Sequence, residues 1–423
     1  MSRKKITNQQ QQVKLMFNGG TDGQFDLGTV MKSLDLELRA LAVSSGIAVI
    51  HSLMASEVEH LAGKPYSRER EVNRYGTEDG YVVLGGQKVS TRHQRLRNRE
   101  NEEVRLESYQ QFQQDSDRTR AVFSRLVHGL SCRKYAETIE TVQQGYGISK
   151  SVVNREAIEA TAEQLRSLCE RDLTSMNLAV IILDGVHIAK TVQLVAMGIE
   201  ANGTKHILGF REGATENHRV CVELLEDLAR RGLRNDQPIL VIIDGSKALR
   251  SAVEHFFRTS AEIQRCQIHK RRNVKDHLPK QYHADINRRM KAAYKMNSYL
   301  EAKQALENVV RYLEPLNASA ARSLEEGMEE TLTVHRLGIP DILRKSLEST
   351  NLIESAFSQS RPVMRHVKRW RNSDQIQRWT ATALLESERR FRKVRGYKSL
   401  DILVSALEAA FKKKGLAKTE FVA

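Results

Sequence analysis

Apolar and polar positions along this chain change period several times, and each change marks an element. From Leu27 the apolar residues recur at Val30, Met31, Leu34, Leu38 and Leu41, the spacing of one helix face, which predicts a small helical unit over 26–63. After Tyr75 the pattern becomes extended: Tyr81-Val82-Val83-Leu84, a Gly85-Gly86 turn and Lys88-Val89-Ser90 predict a β-hairpin. Helical spacing returns over 119–168. Two patterns, Ala121–Gln143 (broken near Leu130-Ser131) and Lys150–Leu168, flank the turn QQGYGIS, where Gly145 and Gly147 supply the break and Ser149 a cap. That arrangement resembles a helix-turn-helix with VVNREAIEATAEQL as its second helix, and equally resembles two plainly packed helices.

The block from Leu178 to His269 is the most regular. Two short runs rich in β-branched residues, Leu178–Leu183 and Ile239–Ile243, read as buried strands, and each finishes in Asp-Gly. Between them TVQLVAMGIEA, an Asn202-Gly203 turn and TKHILGFR form a second hairpin, followed by a helix over Asn217–Arg231 with Val220, Leu224, Leu225 and Leu228 on one face. A helix from Ser246 to about Phe257 and a strand around Ile263–Ile268 complete the block. The fold class is therefore α/β, in the order β-β-β-α-β-α-β, which is that of an RNase H-like fold, with Asp184 on the first strand and Asp244 on the fourth. Residues 273–342 are helical and charged, and 351–415 form a basic helical segment holding Trp370 and Trp379. The gap from Asp244 to Glu354 is too long for one sheet crossover, so a helical insertion is expected there.

Charge then narrows the function. Lys and Arg number 67 against 52 Asp and Glu, giving a net charge of +15 and attracting a polyanion whatever its base sequence. The four cysteines, Cys132, Cys169, Cys221 and Cys266, are too scattered for a disulfide framework, which points to a reducing compartment. The opening MSRKKITNQQQQ is polar, a loose leader with no signal-peptide pattern. The uncharged stretch Ala40–Ser56 carries four Ser, a Gly and a His, too polar and too short for a membrane span and better read as a buried or partner-facing helix. The expected location is the cytoplasm, associated with the nucleoid.

Candidate chemistry follows from the carboxylates. Asp184 and Asp244 at strand ends, with Glu354 on the helix of STNLIESAF, form a set suited to hard divalent cations that keep positions open for phosphate oxygens. Taken singly, an Asp-Gly after a strand is most often a turn, and Glu348 competes with Glu354. Cys266 and His269 suggest zinc, but no second ligand pair follows at the usual spacing, so the pair is read as supporting the site or approaching DNA. Lys270, Arg271 and Arg272 are expected to face phosphates. Arg92, Arg95 and Arg97 on the hairpin's return arm, and Lys150 at the start of the second helix, are candidate DNA contacts, the hairpin arm reading alternatively as a solvated edge strand. Arg361, Arg365, Lys368, Arg369 and Arg371 surround Trp370, a pattern for phosphate pairing and base stacking, whereas Trp379 reads as core. His187 lies near the site with an open role.

The blocks YGTEDGYVVLGGQKV, LDGVHIAK, GFREGATENHRVCVELLEDLARRGL, VIIDGSKAL, QRCQIHKRRNV, STNLIESAFSQSR and VKRWRNSDQIQRW, in order from about Tyr75 to Asp401, resemble the Mutator-type family of bacterial insertion-sequence transposases. The resemblance implies an RNase H-like core with a DDE triad on Asp184, Asp244 and Glu354, an all-helical insertion before the Glu, and DNA-binding elements towards the N-terminus. Asn351 and Ser355 complete the Glu motif, and the family's Cys-x-x-His signature falls on Cys266 and His269. LDGVHIAK departs from many members without touching the carboxylates. The implied activity is cleavage and strand transfer at terminal inverted repeats with two Mg²⁺ ions, Mn²⁺ substituting. The implied partners are double-stranded repeat and target DNA, and a second copy or larger homo-oligomer. The expected organisation is a leader and helical unit (1–70), a basic hairpin region (71–118), a helix-turn-helix-like domain (119–172), the first part of the core (173–272), the insertion (273–345) and the Glu helix with basic C-terminal helices (346–423). The alternatives are a regulator or relic that binds DNA without cutting it, and a nuclease that cuts without joining.

Overall fold

The computed structural model describes residues 27–65, 70–84, 87–113, 123–129, 145–146, 150–215 and 217–420. The chain divides into two compact units, Met1–Ala160 and Thr161–Ala423. In the first, helix α1 (Leu27–Ala62) packs through Ile50, Met54, Val58 and Ala62 against Val82 of β1 (Val72–Leu84) and Leu96 of β2 (Gln87–Asn98). The two strands pair antiparallel from Leu84↔Gln87 to Val72↔Asn98, so the predicted hairpin is present and longer than its apolar core suggested. Its Gly85-Gly86 turn lies outside the described residues, as do 130–144 and 147–149 of the suggested helix-turn-helix. Short strands β3 (Glu103–Val104) and β4 (Gly145–Tyr146) pair with β2. The carboxylate of Glu57 accepts the backbone N–H groups of Glu107 (2.7 Å) and Ser108 (3.0 Å), satisfying the open end of α2 (Glu107–Gln113). Helix α3 (Lys150–Cys169) follows.

The second unit is built on a mixed sheet in the order β7-β6-β5-β8-β9: β5 (Leu178–Ile188), β6 (Thr191–Glu200) and β7 (Lys205–Gly213) are antiparallel, while β8 (Ile239–Ile243) and β9 (Ala261–Arg265) run parallel beside β5. Helices cover both faces, which explains why these strands read as continuous apolar runs. Odd positions of β5 and β8, Ile181, Leu183, Val241 and Ile243, pack under α4 (His218–Arg230) and α5 (Lys247–Phe257). Even positions, Val180, Ile182, Leu240 and Ile242, share the opposite core with Leu343 and Leu347 of α12, Ile353, Ala356 and Phe357 of α13, and residues of α14 and α15 (ranges below). Asn217 and Ser246 cap α4 and α5 through their side chains.

Two boundaries differ from the sequence reading. Strand β5 does not stop at Asp184 but continues to Ile188, because Asp184 still pairs with Val195 of β6. Strand β9 ends at Arg265, not Ile268, since Cys266 becomes the N-cap of α6 (Gln267–Asp276). From there the chain is helical: α7 (Lys280–Tyr294), α8 (Tyr299–Leu313), α9 (Ala318–Glu325), α10 (Met328–Thr331), α11 (Thr333–Arg336) and α12 (Asp341–Leu347). Helices α6 to α10 share a separate core built on Ile286, Met290, Leu306, Leu313 and Leu324. The chain then returns to the sheet through α13 (Asn351–Arg365), α14 (Ser373–Glu388) and α15 (Leu400–Glu420). No helix among the described residues is long and apolar enough to cross a membrane.

One buried histidine makes this helical segment sensitive to acid. His335 is 4% exposed, its Nε2–H donates to the Tyr294 carbonyl at 3.0 Å, and burial pulls its pKa down from 6.5 to about 4. The folded state thus resists a proton that the unfolded chain takes up first. The stability this neutral ring provides is complete above pH 6.5 and is lost as pH falls from there towards 4. A shift of this size corresponds to at most ~3 kcal/mol. His335→Gln, which keeps an N–H donor, is expected to flatten that loss. Urea midpoints at pH 7.5 and 4.5 should diverge more for the native chain than for the variant.

Candidate active site

The sheet register sets the site. Val180↔Leu240 and Ile182↔Ile242 are partners across β5 and β8, so Asp184 and Asp244 each lie two residues beyond the last pair, side by side where the parallel pairing ends. Both continue the even-numbered series, so the pleat directs them to the face covered by α13. Asp184 is buried. Its carboxylate accepts the N–H of Gly185 at 3.0 Å, and that of Asp244 accepts the N–H of Ser246 at 2.8 Å. Gly245, at φ 111°, takes the left-handed turn that lets the chain leave β8 towards α5.

Glu354 reaches the same place from the first turn of α13. Its position depends on Thr350, the N-cap of α13, whose hydroxyl donates to Glu354 Oε1 at 3.0 Å and lies 3.6 Å from Cys266 Sγ. The Cys266 sulfur also accepts the backbone N–H groups of Thr350 and His269, each at 3.5 Å. Cys266 follows β9 at the level of Asp244, because Ile243 pairs with Arg265. A buried thiol thereby ties the ends of β9 and α6 to the start of α13. His269 Nε2 stands 4.0 Å from Glu354 Oε1.

Charge in this cluster is unevenly compensated. Burial, then the neighbouring Asp244, push the Asp184 carboxyl up to about 7; His269 opposes and Glu354 adds to the rise. The Cys266 thiol beside it raises His269 to about 9 against its own burial, with Asp184 and Asp244 adding to the effect. Burial would raise the Cys266 thiol, yet the hydrogen bond with His269 brings it below its ordinary value. Among the described residues no three His, Cys, Asp or Glu side chains are close enough together to hold a metal ion. The carboxylates are neighbours rather than one closed coordination shell.

Beside them a cavity of about 680 Å³ runs between the end of β5 and α13, lined by Asp184, His187, His269, Arg272, Glu354, Arg361, Arg365 and Trp370 among others. Of the basic run after His269 only Arg272 reaches it. Arg271 bonds Asn287 Oδ1 at 2.6 Å. Lys270, expected to face phosphate, is instead buried and donates to the carbonyls of Ser323 (2.6 Å) and Glu326 (2.5 Å), where it caps the C-terminus of α9. Burial lowers its pKa to about 8. Lys368, Arg369 and Arg371 are exposed beyond the cavity, Trp379 is half-buried in α14, and Asn351 is exposed at the start of α13 without lining the cavity. Glu348 does not line the cavity, and its backbone carbonyl accepts the Gln267 N–H at 3.0 Å.

The hairpin arginines sit in the first unit with partners of their own: Arg92 with Asp79 (3.0 Å), Arg95 with Glu78 (3.4 Å), and Arg97 with Asn101 (2.7 Å) and the Tyr75 ring. Lys150 opens α3, and its side chain lies outside the described residues. Sequence reading missed Thr350 and the apolar cavity wall of Phe357, Met364, Val367 and Leu384. Thr350 could have been found as the cap residue four before Glu354. The wall had no signal, since each member fits an ordinary helix face.

A family model described as "Transposase, Mutator family" matches residues 39–393, most of the chain. The chain belongs to that family. It is 25% identical over 356 residues to the transposase for insertion sequence element IS256 in transposon Tn4001 of Staphylococcus aureus, covering 80% of this chain and 87% of that one. The transposase for ISRM5 of Rhizobium meliloti (strain 1021) is 26% identical over 370 residues, with 84% and 89% covered. The transposase for IS905 of Lactococcus lactis subsp. lactis (strain IL1403) is 28% identical over 261 residues, 60% of this chain and only 64% of that relative.

The Thr350 link is testable without any activity. Thr350→Val keeps the shape but removes the donor to Glu354, and should lower stability by about 1 kcal/mol, with Thr350→Ser recovering most of it, in chemical denaturation.

Proposed function

We propose that this chain is a DDE transposase whose Asp184, Asp244 and Glu354 hold Mg²⁺ and act on DNA at the terminal inverted repeats of an insertion sequence. The observation that carries the reading is the Ile182↔Ile242 register, which brings two aspartates level on the sheet face where α13 presents Glu354. The strand order and the helices α6 to α12 between β9 and α13 agree with an RNase H-like core carrying a helical insertion.

The donor chemistry is that of a hard cation: three carboxylates supply only oxygen, and burial followed by the neighbouring Asp244 charge raises Asp184 to about 7, a cost that a cation drawing the three neighbours together would offset. When bound, two such ions supply Lewis-acid activation of the attacking oxygen and charge stabilisation of the leaving one. The protein contributes position and field. Asp184 and Asp244 offer their oxygens from a rigid sheet end, and Thr350 fixes Glu354. His269 adds a positive charge beside Glu354, and Arg272, Arg361 and Arg365 attract the DNA backbone to the mouth of the cavity. Water attacks a phosphodiester and displaces its 3′-oxygen, leaving a 3′-OH and a 5′-phosphate; that hydroxyl then attacks a target phosphodiester and displaces the target's 3′-oxygen, joining the strands with no covalent enzyme intermediate. Leu41, Val49 and Leu53 leave apolar surface exposed on α1, where we place a contact between two copies on DNA.

The test uses purified protein, Mg²⁺ or Mn²⁺ and labelled DNA carrying the repeats that flank its gene. Metal-dependent nicking at the repeat tip and joining to a target strand are expected, with both reduced at least ~100-fold by Asp244→Ala or Glu354→Gln. Tight binding without cutting would sink the enzyme reading in favour of a regulator, and cutting without joining would reduce it to a nuclease.

A further inference from the structure

The cavity beside the carboxylates is more than a phosphate groove. A phosphate chain needs only a basic, wet surface, and Arg272, Arg361 and Arg365 provide that. Behind them the walls are apolar: Phe357, Met364, Val367 and Leu384, with the half-buried Trp370. Thr380 adds a polar atom to this wall: it is 1% exposed, lines the cavity, and its Oγ1 makes no hydrogen bond among the described residues. Buried hydroxyls are normally satisfied, so an orphan on a residue that lines a cavity leaves a hydrogen bond open to whatever fills it. The ligand must be flat and apolar on its faces, carry hydrogen-bonding groups on its edge, and be tethered to an anion at the mouth. A nucleobase attached to its backbone phosphate meets all three demands. At about 680 Å³ the cavity is of the size that encloses a molecule of that scale.

We propose that this cavity receives one unpaired base of the DNA end next to the cleaved phosphate, stacked on Trp370 and hydrogen-bonded by Thr380. The inference rests on the transposase reading and deepens it. Extruding a base disrupts its stacking and pairing, a cost the cavity would offset and that is smallest where the base is already mispaired. Trp370 is thus a positioning residue: it holds the strand so that the phosphate lies at Asp184 and Glu354, and touches no reacting atom.

The experiment measures nicking of repeat ends by the full chain, using a set of duplexes with a single mispair moved along the terminal positions. Trp370→Ala is expected to slow nicking of fully paired ends roughly tenfold or more. A mispair at one position only should restore most of the rate, and Trp370→Phe should retain most activity on every duplex. Thr380→Val should alter the preferred base at that position and no other. A Trp370→Ala chain that nicks paired ends like the native protein, or that no mispair rescues, overturns the proposal while leaving the transposase reading intact. If the native chain nicks nothing, the transposase reading falls, and the pocket is judged by binding in Ca²⁺ to ends carrying 2-aminopurine. An emission change at a single position, lost in Trp370→Ala, supports it; equal signals in both proteins overturn it.

Discussion

The parallel pairing of β5 with β8 is the constraint from which the site follows. Both strands are buried on both faces, so their register is fixed by two cores at once, with even residues under α13 to α15 and odd residues under α4 and α5. A slip of one residue in either strand would turn its apolar side chains to the wrong layer and its aspartate to the wrong face. The carboxylates are held in place by the isoleucines and valines before them. This also explains how Asp184 tolerates burial: the strand's apolar contacts supply the free energy that a buried, mutually repelling carboxylate takes away.

Glu354 is far from the aspartates in sequence, and its arrival needs a second anchor. Cys266 and Thr350, 84 residues apart, join at the sheet end through sulfur contacts of 3.5 and 3.6 Å. Of the helices between them, α6 to α10 keep their own core and α12 packs on the sheet through Leu343 and Leu347, with polar contacts closing the segment and holding it to the sheet. Lys270 closes α9, Arg265 pairs with Glu330 at 3.0 Å, and Gln264 donates to the Thr331 carbonyl at 2.9 Å. The segment can therefore fold as a body while its two ends are held together.

Legibility in the sequence tracks how local each cause is. The strand runs, the Asn202-Gly203 hairpin with Gly203 at φ 87°, and the helices beginning at Asn217 and Ser246 are written in a few adjacent residues, and the structure has them, with those two residues as caps. The end of β5 was misplaced because Asp-Gly is ordinarily a turn, whereas pairing with β6 carries the strand four residues further. Lys270 was misread for a related reason. In the run Lys270-Arg271-Arg272 all three look solvated, and only the packing of α6 against α9 decides which one turns inward. The three carboxylates were singled out by strand pattern and family motif together, and the structure brings them to one end of the sheet. The cavity wall was invisible because Phe357, Met364 and Leu384 owe their role to the way α13 and α14 meet.

The net charge of +15 acquires a location once partners are considered. On the hairpin, Arg92 and Arg95 face Asp79, Glu78 and Glu103, so much of that arm's charge is spent internally. Around the carboxylate site the balance differs. Among the described residues no ion pair holds Arg272, Arg361, Arg365, Lys368, Arg369 or Arg371, and all six are exposed. Exposed cations without ion-pair partners suit the cavity mouth to a polyanion by counterion release, while the buried Asp184 and the half-exposed Asp244 and Glu354 beside it oppose one. On the proposed reading, a basic rim around an acidic floor would draw a phosphate chain in and leave its closest approach to depend on metal.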